Sequence, residues 1–355
     1  MKNLFLLSII FLFSCNPSFE KDGGTRVVLE AKDADKMQME RIMLILAQRI
    51  DLFGVIKPNI RIGDSPNRII VELPGKFDNQ RMRRVLQSSA KLEFWETFEN
   101  KEMYEKIARL NTNLSEDLFP ELKDTVAEQA KPNLEGASMD DQFAAQKSTK
   151  EIEAENLAKI KKQNPLFALL NPALRNDGRS YELTEGPVVG YALAKDTAQV
   201  NGYLNSPTAK KIFGRSVKFL WTMQPMDQEQ KVYQLVAIKV NRSGKAALWE
   251  NVVDDAKVIY DDQSGSPQIS MTMTRIAGMD WQKITRDNVG KAIAIVIDDQ
   301  VYSYPIVMSE IAGGLASISG NFTKEEAQDF ASVLKAGCLP VPIRIVAEEE
   351  VAPVK

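Results

Sequence analysis

The stretch "SISGNFTKEEAQDFASVLKAGCLPVPIRIV", Ser317–Val346, constrains the fold more tightly than any other part of the chain. It sets out a strand, a helix specified at both ends, and a second strand. Thr323 and Glu326 have the T-x-x-E spacing of a capping box, with Phe322 placed before them as an apolar staple. Ala327, Phe330, Ala331 and Leu334 fall at i, i+3, i+4 and i+7, which is one apolar helical face. Lys335 sits in the last turn, Gly337 supplies a left-handed C-cap, and Pro340 forbids continuation. Pro342–Val346 then starts a strand. A helix of this kind buries one stripe against a sheet, so the unit predicts a layered α+β domain.

The N-terminal part has the same texture. "TRVVLEA" is a strand, and Asp35 with Gln38 can open the helix that follows. Met39, Ile42, Met43, Leu46, Ile50 and Phe53 form its apolar face before Gly54 ends it. "NIRI" and "RIIVEL" are strands around the turn "GDSPN". "DNQRMRRVLQSS" is a helix with Met82, Val85 and Leu86 inward, and "KLEFWETF" is a strand. The order β-α-β-β-α-β predicts a ferredoxin-like plait, with two helices on one face of an antiparallel sheet.

From about Asn100 to Arg179 the chain is rich in Glu, Lys, Ala and Gln and poor in β-branched residues. That pattern predicts solvated helices or partly disordered insertion. Within it, "NPLFALLNP" is an apolar patch expected to dock on a neighbouring domain. A second globular part begins near Tyr181. "GPVVGYALAKD", "SVKFLWTMQP" and "YQLVAIKVN" read as strands, with "AQVNGYLNSPTAKKIF" mostly helical between the first two. From Gln268 the plait-like order recurs: strand "QISMTMT", helix "AGMDWQKITRDN", strands "AIAIVI" and "VYSYPIV", then the capped unit Ser317–Val346.

Composition excludes several kinds of chemistry. The chain has 355 residues, 44% hydrophobic and 26% charged, enough for one or two ordinary cores. Its net charge of −3 argues against nucleic acid as a partner, because phosphate binding needs a concentrated basic face. Histidine is absent, which removes Ser-His and Cys-His nucleophile pairs and His metal ligands. The two cysteines, Cys15 and Cys338, rule out a disulfide framework and disfavour a zinc site.

The remaining candidates have plain structural readings. Asp254-Asp255, Asp261-Asp262 and Asp298-Asp299 are paired acids, but neighbours on a strand face opposite ways and "DDQ" between two strands is a hairpin turn. "YDDQSGS" lacks the ordered spacing of a calcium loop and reads as a flexible turn. The glycines form no G-x-G-x-x-G or Walker loop. Cys338, after a helix cap, reads as a small buried hydrophobe. Trp95, Trp221, Trp249 and Trp281 read as core or inter-subdomain contacts. No catalytic, metal-binding or cofactor-binding residue is predicted, and the expectation is a protein that is not an enzyme.

The N-terminus "MKNLFLLSIIFLFSC" has one Lys, then an apolar run from Leu4 to Phe13, then Ser14-Cys15. The run is too short to span a bilayer but suits a signal-peptide core. A small residue directly before Cys is similar to the lipobox of bacterial lipoproteins, in which Cys15 becomes the lipidated first residue. The other reading is a short membrane anchor with Cys15 incidental. Both put the bulk of the chain outside the cytoplasm.

Several long stretches resemble one family. "DGGTRVVLEA", "AQRIDLFGVIKPNIRI", "RIIVELPG" and "SAKLEFWETFEN" resemble the first extracytoplasmic domain of SecD, in the variant fused as SecDF. "GPVVGYALAKDTAQVN", "VGKAIAIVIDDQVYSYPIV" and "GGLASISGNFTKEEAQDFASVLKAGCLPVPIRIVAEEEV" are similar to the rest of that domain. The resemblance implies an accessory subunit of the bacterial protein-export translocase, at the inner membrane with its bulk facing the periplasm. It implies a ferredoxin-like base on the membrane (23–100 plus 341–351), an inserted α+β head (185–340), a charged helical insertion (101–184), and an anchor and tether (1–22). The partners implied are unfolded preprotein, the Sec translocon channel, a SecF-type membrane half, and membrane lipid at the N-terminus. Client-contacting residues are not named by the resemblance. The family begins with a true membrane helix and continues into several more, whereas this chain has the short run ending at Cys15 and closes on "VAPVK". The expectation is an ectodomain separated from its membrane half. The alternative is a free-standing lipoprotein that binds unfolded polypeptide without energy coupling.

The lipobox reading predicts that the mature chain starts at Cys15 carrying lipid. Mass spectrometry of the membrane-extracted protein should show that modified N-terminus; an intact Met1 or an unmodified Cys15 would refute it.

Overall fold

A computed structural model describes residues 19, 21 and 23–353, except 53, 56, 57, 77, 123–157, 177–179, 250 and 321. Cys15 lies outside the described residues. The chain forms two compact units, one drawn from Met1–Lys91, Val253–Thr272 and Phe322–Lys355, the other from Leu92–Val252 and Met273–Asn321.

The first unit opens with β1 (Gly24–Ala31), in which Thr25, Val27, Leu29 and Ala31 are buried in strict alternation. Helix α1 (Lys36–Leu52) starts as its sequence requires. Gln38 N–H donates to Asp35 at 2.8 Å, and Asp35 N–H donates back to Gln38 at 2.9 Å. Strands β2 (Asn59–Ile62) and β3 (Arg68–Pro74) follow, then α2 (Asn79–Gln87), which buries Met82, Val85 and Leu86 as expected. Asp78 caps α2 by accepting from the N–H groups of Arg81 and Gln80, which hold its carboxyl below the usual carboxylate range.

The strand expected to close this sheet is β4 (Leu92–Glu96), and the structure assigns it elsewhere. β4 belongs to the second unit and pairs with β13 (Ile293–Ile297), from Leu92↔Ile297 to Glu96↔Ile293. Leu92, Glu93, Phe94 and Trp95 are all buried, as a strand covered on both faces demands. The vacant place beside β1 is taken by the last strand, β16 (Ile343–Val351), antiparallel from Gly24↔Val351 to Ala31↔Ile343. The sheet order is therefore β16-β1-β3-β2, with antiparallel neighbours throughout.

Helix α7 (Lys324–Ala336) keeps its predicted ends: Thr323 and Glu326 close the capping box at 3.2 and 2.9 Å, and Gly337 ends it at φ 94°. Phe330 is only half-buried; its ring lies 6.0 Å from that of Phe322. α1, α2 and α7 contribute Met39, Ile42, Leu46, Ile50, Leu86 and Ala336 to one core with Val27, Leu29, Ile69, Val71 and Ile343. Strands β11 (Val253–Tyr260) and β12 (Pro267–Met273) are neighbours joined by a turn on Asp261. Lys335 of α7 holds Asp255 of β11 at 2.7 Å and keeps its carboxyl below the usual range. Cys338, expected inside, is exposed, because the chain leaves the α7 cap there and turns its thiol outward.

In the second unit the charged region begins with a packed helix. α3 (Asn100–Leu118) buries Met103, Ile107, Leu110 and Leu114, a stripe at helical spacing that the surrounding Glu and Lys obscure. The patch "NPLFALLNP" docks on it, with Leu166 and Phe167 N–H donating to Asn111 at 3.1 and 3.2 Å. Short strands β5 (Asn171–Pro172), β6 (Leu174–Asn176) and β7 (Tyr181–Leu183) lead to β8 (Val188–Leu193). Helices α4 (Thr197–Leu204) and α5 (Pro207–Phe213) precede β9 (Val217–Trp221) and β10 (Val232–Lys239). One sheet runs β5-β8-β10-β9; another joins β4, β13 and β14 (Gln300–Ser303); β6 and β7 form a hairpin. α6 (Arg275–Asp287) packs Trp281 on Phe94 of β4 at 4.8 Å between ring centres. β15 (Leu315–Ile318) completes the strands of this unit.

Arg49 of α1 is fully buried in the first unit and donates to the carbonyls of Val85, Ser88 and Gly337. These are the C-terminal ends of α2 and α7, where helix dipoles favour a cation. Replacing Arg49 with Ala or Met leaves those buried carbonyls without their donor. The expected loss is about 3 kcal/mol or more of unfolding free energy, read by urea denaturation. A change below about 1 kcal/mol contradicts this role.

Candidate functional site

The second unit carries a groove of about 550 Å³ along strand β9, with α4 and α5 on one side and the Asp299-Gln300 turn on the other. Its parts follow from local sequence. Ser206 caps α5 through its hydroxyl to Ala209 N–H at 3.1 Å, and Pro207 takes the first helical position. Gly214 ends α5 at φ 65° and turns the chain directly into β9.

Successive side chains of β9 pack on opposite sides. Val217, Phe219 and Trp221 pack toward the core that holds Leu204, Ala209 and Phe213. The Phe213 and Phe219 rings meet edge to face at 5.0 Å, and the Trp221 indole N–H donates to Asn201 at 2.9 Å. Leu220 faces the opposite core, with Trp95, Val236 and Val301. Lys218 lies on that same side, 5.9 Å from the Trp95 ring centre and 2.5 Å from an Asp299 oxygen. The pairing of Asp299 needs an unusual turn: Asp298 and Asp299 both have positive φ, 51° and 63°. A two-residue hairpin of that type prefers Asn-Gly, so two aspartates there carry a backbone cost.

β9 is the last strand of its sheet. Its register with β10 pairs Lys218 with Ile238 and Leu220 with Val236, and Thr222 N–H donates to Gln234 at 3.0 Å. The even-numbered residues therefore use their main-chain groups toward β10. The N–H and C=O groups of Val217 and Phe219 point the other way, into the groove. Near Trp221 that edge closes, because Met223 N–H donates to Val301 at 2.8 Å and Thr222 bridges Val301. The groove thus offers a short run of outward main-chain donors and acceptors over aromatic and aliphatic side chains.

Acid–base chemistry has little support in this unit. Tyr304 and Tyr191 are pushed above the ordinary phenol value by burial, so they stay neutral; Tyr304 donates to Gln234 at 2.7 Å. Among the described residues, no group of three or more His, Cys, Asp or Glu could hold a metal ion. Of the paired acids, Asp298-Asp299 is the hairpin turn its sequence predicts, and Asp261 accepts from the Gln263 and Ser264 N–H groups in a local turn. Asp254 and Asp255 are neighbours on β11, and Asp255 is committed to Lys335. Asp254-Asp255 and Asp261-Asp262 belong to the first unit and Asp298-Asp299 to the second. The β9 edge was absent from the sequence-based candidates. Its signal is weak: "VKFLW" has one charge, and only the strand order makes it an edge.

Residues 39–99 match the family model described as "Protein translocase subunit SecDF, P1 domain, N-terminal", and residues 223–341 match "SecDF, P1 head subdomain". A curated relative, protein translocase subunit SecD of Rhodothermus marinus, is 33% identical over 318 residues, covering 89% of this chain and 47% of its own length. Protein translocase subunit SecDF of Thermus thermophilus is 40% identical over 116 residues, 33% of this chain and 16% of the relative. The chain thus spans about half the length of the first relative and less of the second. A solved structure described as SecDF in a super-membrane-facing form aligns with a TM-score of 0.50 at 23% identity, over 94% of this chain and 31% of that one, and shares its mixed α/β fold. These relatives are translocase subunits, in keeping with the expectation of a chain that is not an enzyme. Two matched segments and a relative aligned along most of the chain make this protein a member of the SecD/SecDF family of translocase subunits, through the P1 domain.

Proposed function

We propose that this chain is the extracytoplasmic part of a bacterial Sec export translocase, and that it holds unfolded preprotein on the periplasmic side of the inner membrane. Its first unit acts as a ferredoxin-like base. The strand order β16-β1-β3-β2, with helices packed on one face, supports that reading. Its second unit acts as the client-binding head, working beside the translocon channel with a SecF-type membrane half. Among the described residues, no helix is long and apolar enough to cross a membrane. Anchoring is assigned here to Cys15 and its lipid, on the lipobox-like Ser14-Cys15 that follows the apolar run.

The observation that carries the reading is the outward main-chain edge at Val217 and Phe219 beside a groove. An extended segment adds to such an edge through main-chain hydrogen bonds, which every polypeptide offers, so affinity does not depend on a particular sequence. A folded client has its main-chain groups already paired and gains nothing there. A translocation factor must also release its client. The expected dissociation constant is therefore nearer micromolar than nanomolar, roughly −8 kcal/mol or weaker.

Titration of the full chain in nanodiscs with a reduced, unfolded protein and with the same protein folded tests this. The unfolded form should bind and the folded form should not. Equal binding to both, or none to either at roughly 100 μM, a concentration well above the expected constant, points to a scaffolding role instead.

A further inference from the structure

The main-chain edge explains why any unfolded segment binds, but the two sides of β9 are unlike. On the α4–α5 side, Val217 and Phe219 present a β-branched and an aromatic side chain, with Phe213 behind them. Between them, on the opposite side, stands Lys218, paired with Asp299 at the mouth of the hairpin turn. Any strand added to β9 places its successive side chains on these two sides in turn.

We infer that the β9 edge selects client segments by strand periodicity, favouring those with apolar side chains at alternate positions and a polar residue between. The inference rests on the proposal that the groove takes extended polypeptide, and it adds which polypeptide. Residues opposite Val217 and Phe219 form cross-strand pairs, which favour aromatic and β-branched partners. The residue between them lies against the Lys218–Asp299 pair. An apolar side chain there must desolvate two charged groups that are otherwise half in water, which is unfavourable. A segment with a continuous apolar run meets this penalty in every register, and one with helical spacing places only one side chain well. The pair is neutral as a whole, so a polar residue of either sign or none is accepted. The selected class is the amphipathic β-strand, apolar on one face, before it has folded.

The test uses the full chain in nanodiscs and two twelve-residue peptides of identical composition, Val and Gln in equal number. One alternates them; the other places the valines in pairs. The paired-valine peptide can place one valine well with a glutamine between, so the alternating peptide gains one further cross-strand position, which predicts about threefold tighter binding in anisotropy titrations. Val217→Pro removes an outward N–H at the first position of the strand, where proline is tolerated, and leaves the ladder to β10 intact. It should abolish the difference between the peptides. If that variant fails to fold, Phe219→Thr keeps strand propensity, loses the aromatic pair, and should bring the two affinities close to equal. Equal affinity for the two peptides overturns the inference, as does a preference that survives both variants. If unfolded protein binds and neither peptide does, periodicity selection is wrong while the client-binding proposal stands. If unfolded protein fails to bind as well, both fall.

Discussion

The first unit depends on one buried cation. Arg49 sits in the apolar stripe of α1 and ends among the carbonyls of Val85, Ser88 and Gly337. A guanidinium out of water is expensive unless its hydrogens are used, and helix C-termini are where unused carbonyls collect. One side chain therefore ties three helices that are far apart in sequence. The junction it secures lies where the chain leaves α7, turns at Gly337, and enters β16 beside β1. Leu339 N–H donates to Ser89 at 2.9 Å in the same place. Without that junction, a strand separated from β1 by most of the chain has little to set its register.

The sheets treat their edges differently, and the difference bears on function. An unpaired strand edge invites unwanted pairing unless it is short, charged or interrupted. β16 carries Glu348, Glu349 and Glu350, and Arg26 and Arg83 pair with two of them. β5 is two residues long and ends in Pro172. β2 is four residues with Arg61 directed to Glu72. β9 is covered near Trp221, where Met223 N–H donates to Val301, but no strand lies beside Val217 and Phe219 among the described residues. Its single charge is drawn aside by Asp299, leaving the aromatic side of the strand uninterrupted. An edge left open in this way, next to a groove, suits the sequence-tolerant binding proposed above.

Much of the fold could be read from local signals. The caps at Asp35–Gln38 and Thr323–Glu326 form as their spacing predicts, because each depends on residues within one helical turn. Strand alternation in β1 and the inward face of α2 were legible for the same reason. The misses are non-local. β4 reads as the next strand of the first sheet, since neighbours in sequence usually pair, yet its doubly buried residues suit its place in the second unit, paired with β13 and bridged to Leu248. The stripe of α3 was masked by charges on its other face. Arg49 is three residues after Leu46, on the buried stripe, and that placement was the available sign of its role. The β9 edge had no such sign, because being an edge is a property of the whole sheet.

Site-specific photocrosslinking in cells tests the central claim most directly. A crosslinking residue would replace Phe219 on the open edge or Glu349 on the protected edge, while a secretory precursor is arrested in mid-translocation. The account predicts adducts with the precursor from position 219 and none from position 349. Adducts from 349 with none from 219, or equal yields from both, would contradict it.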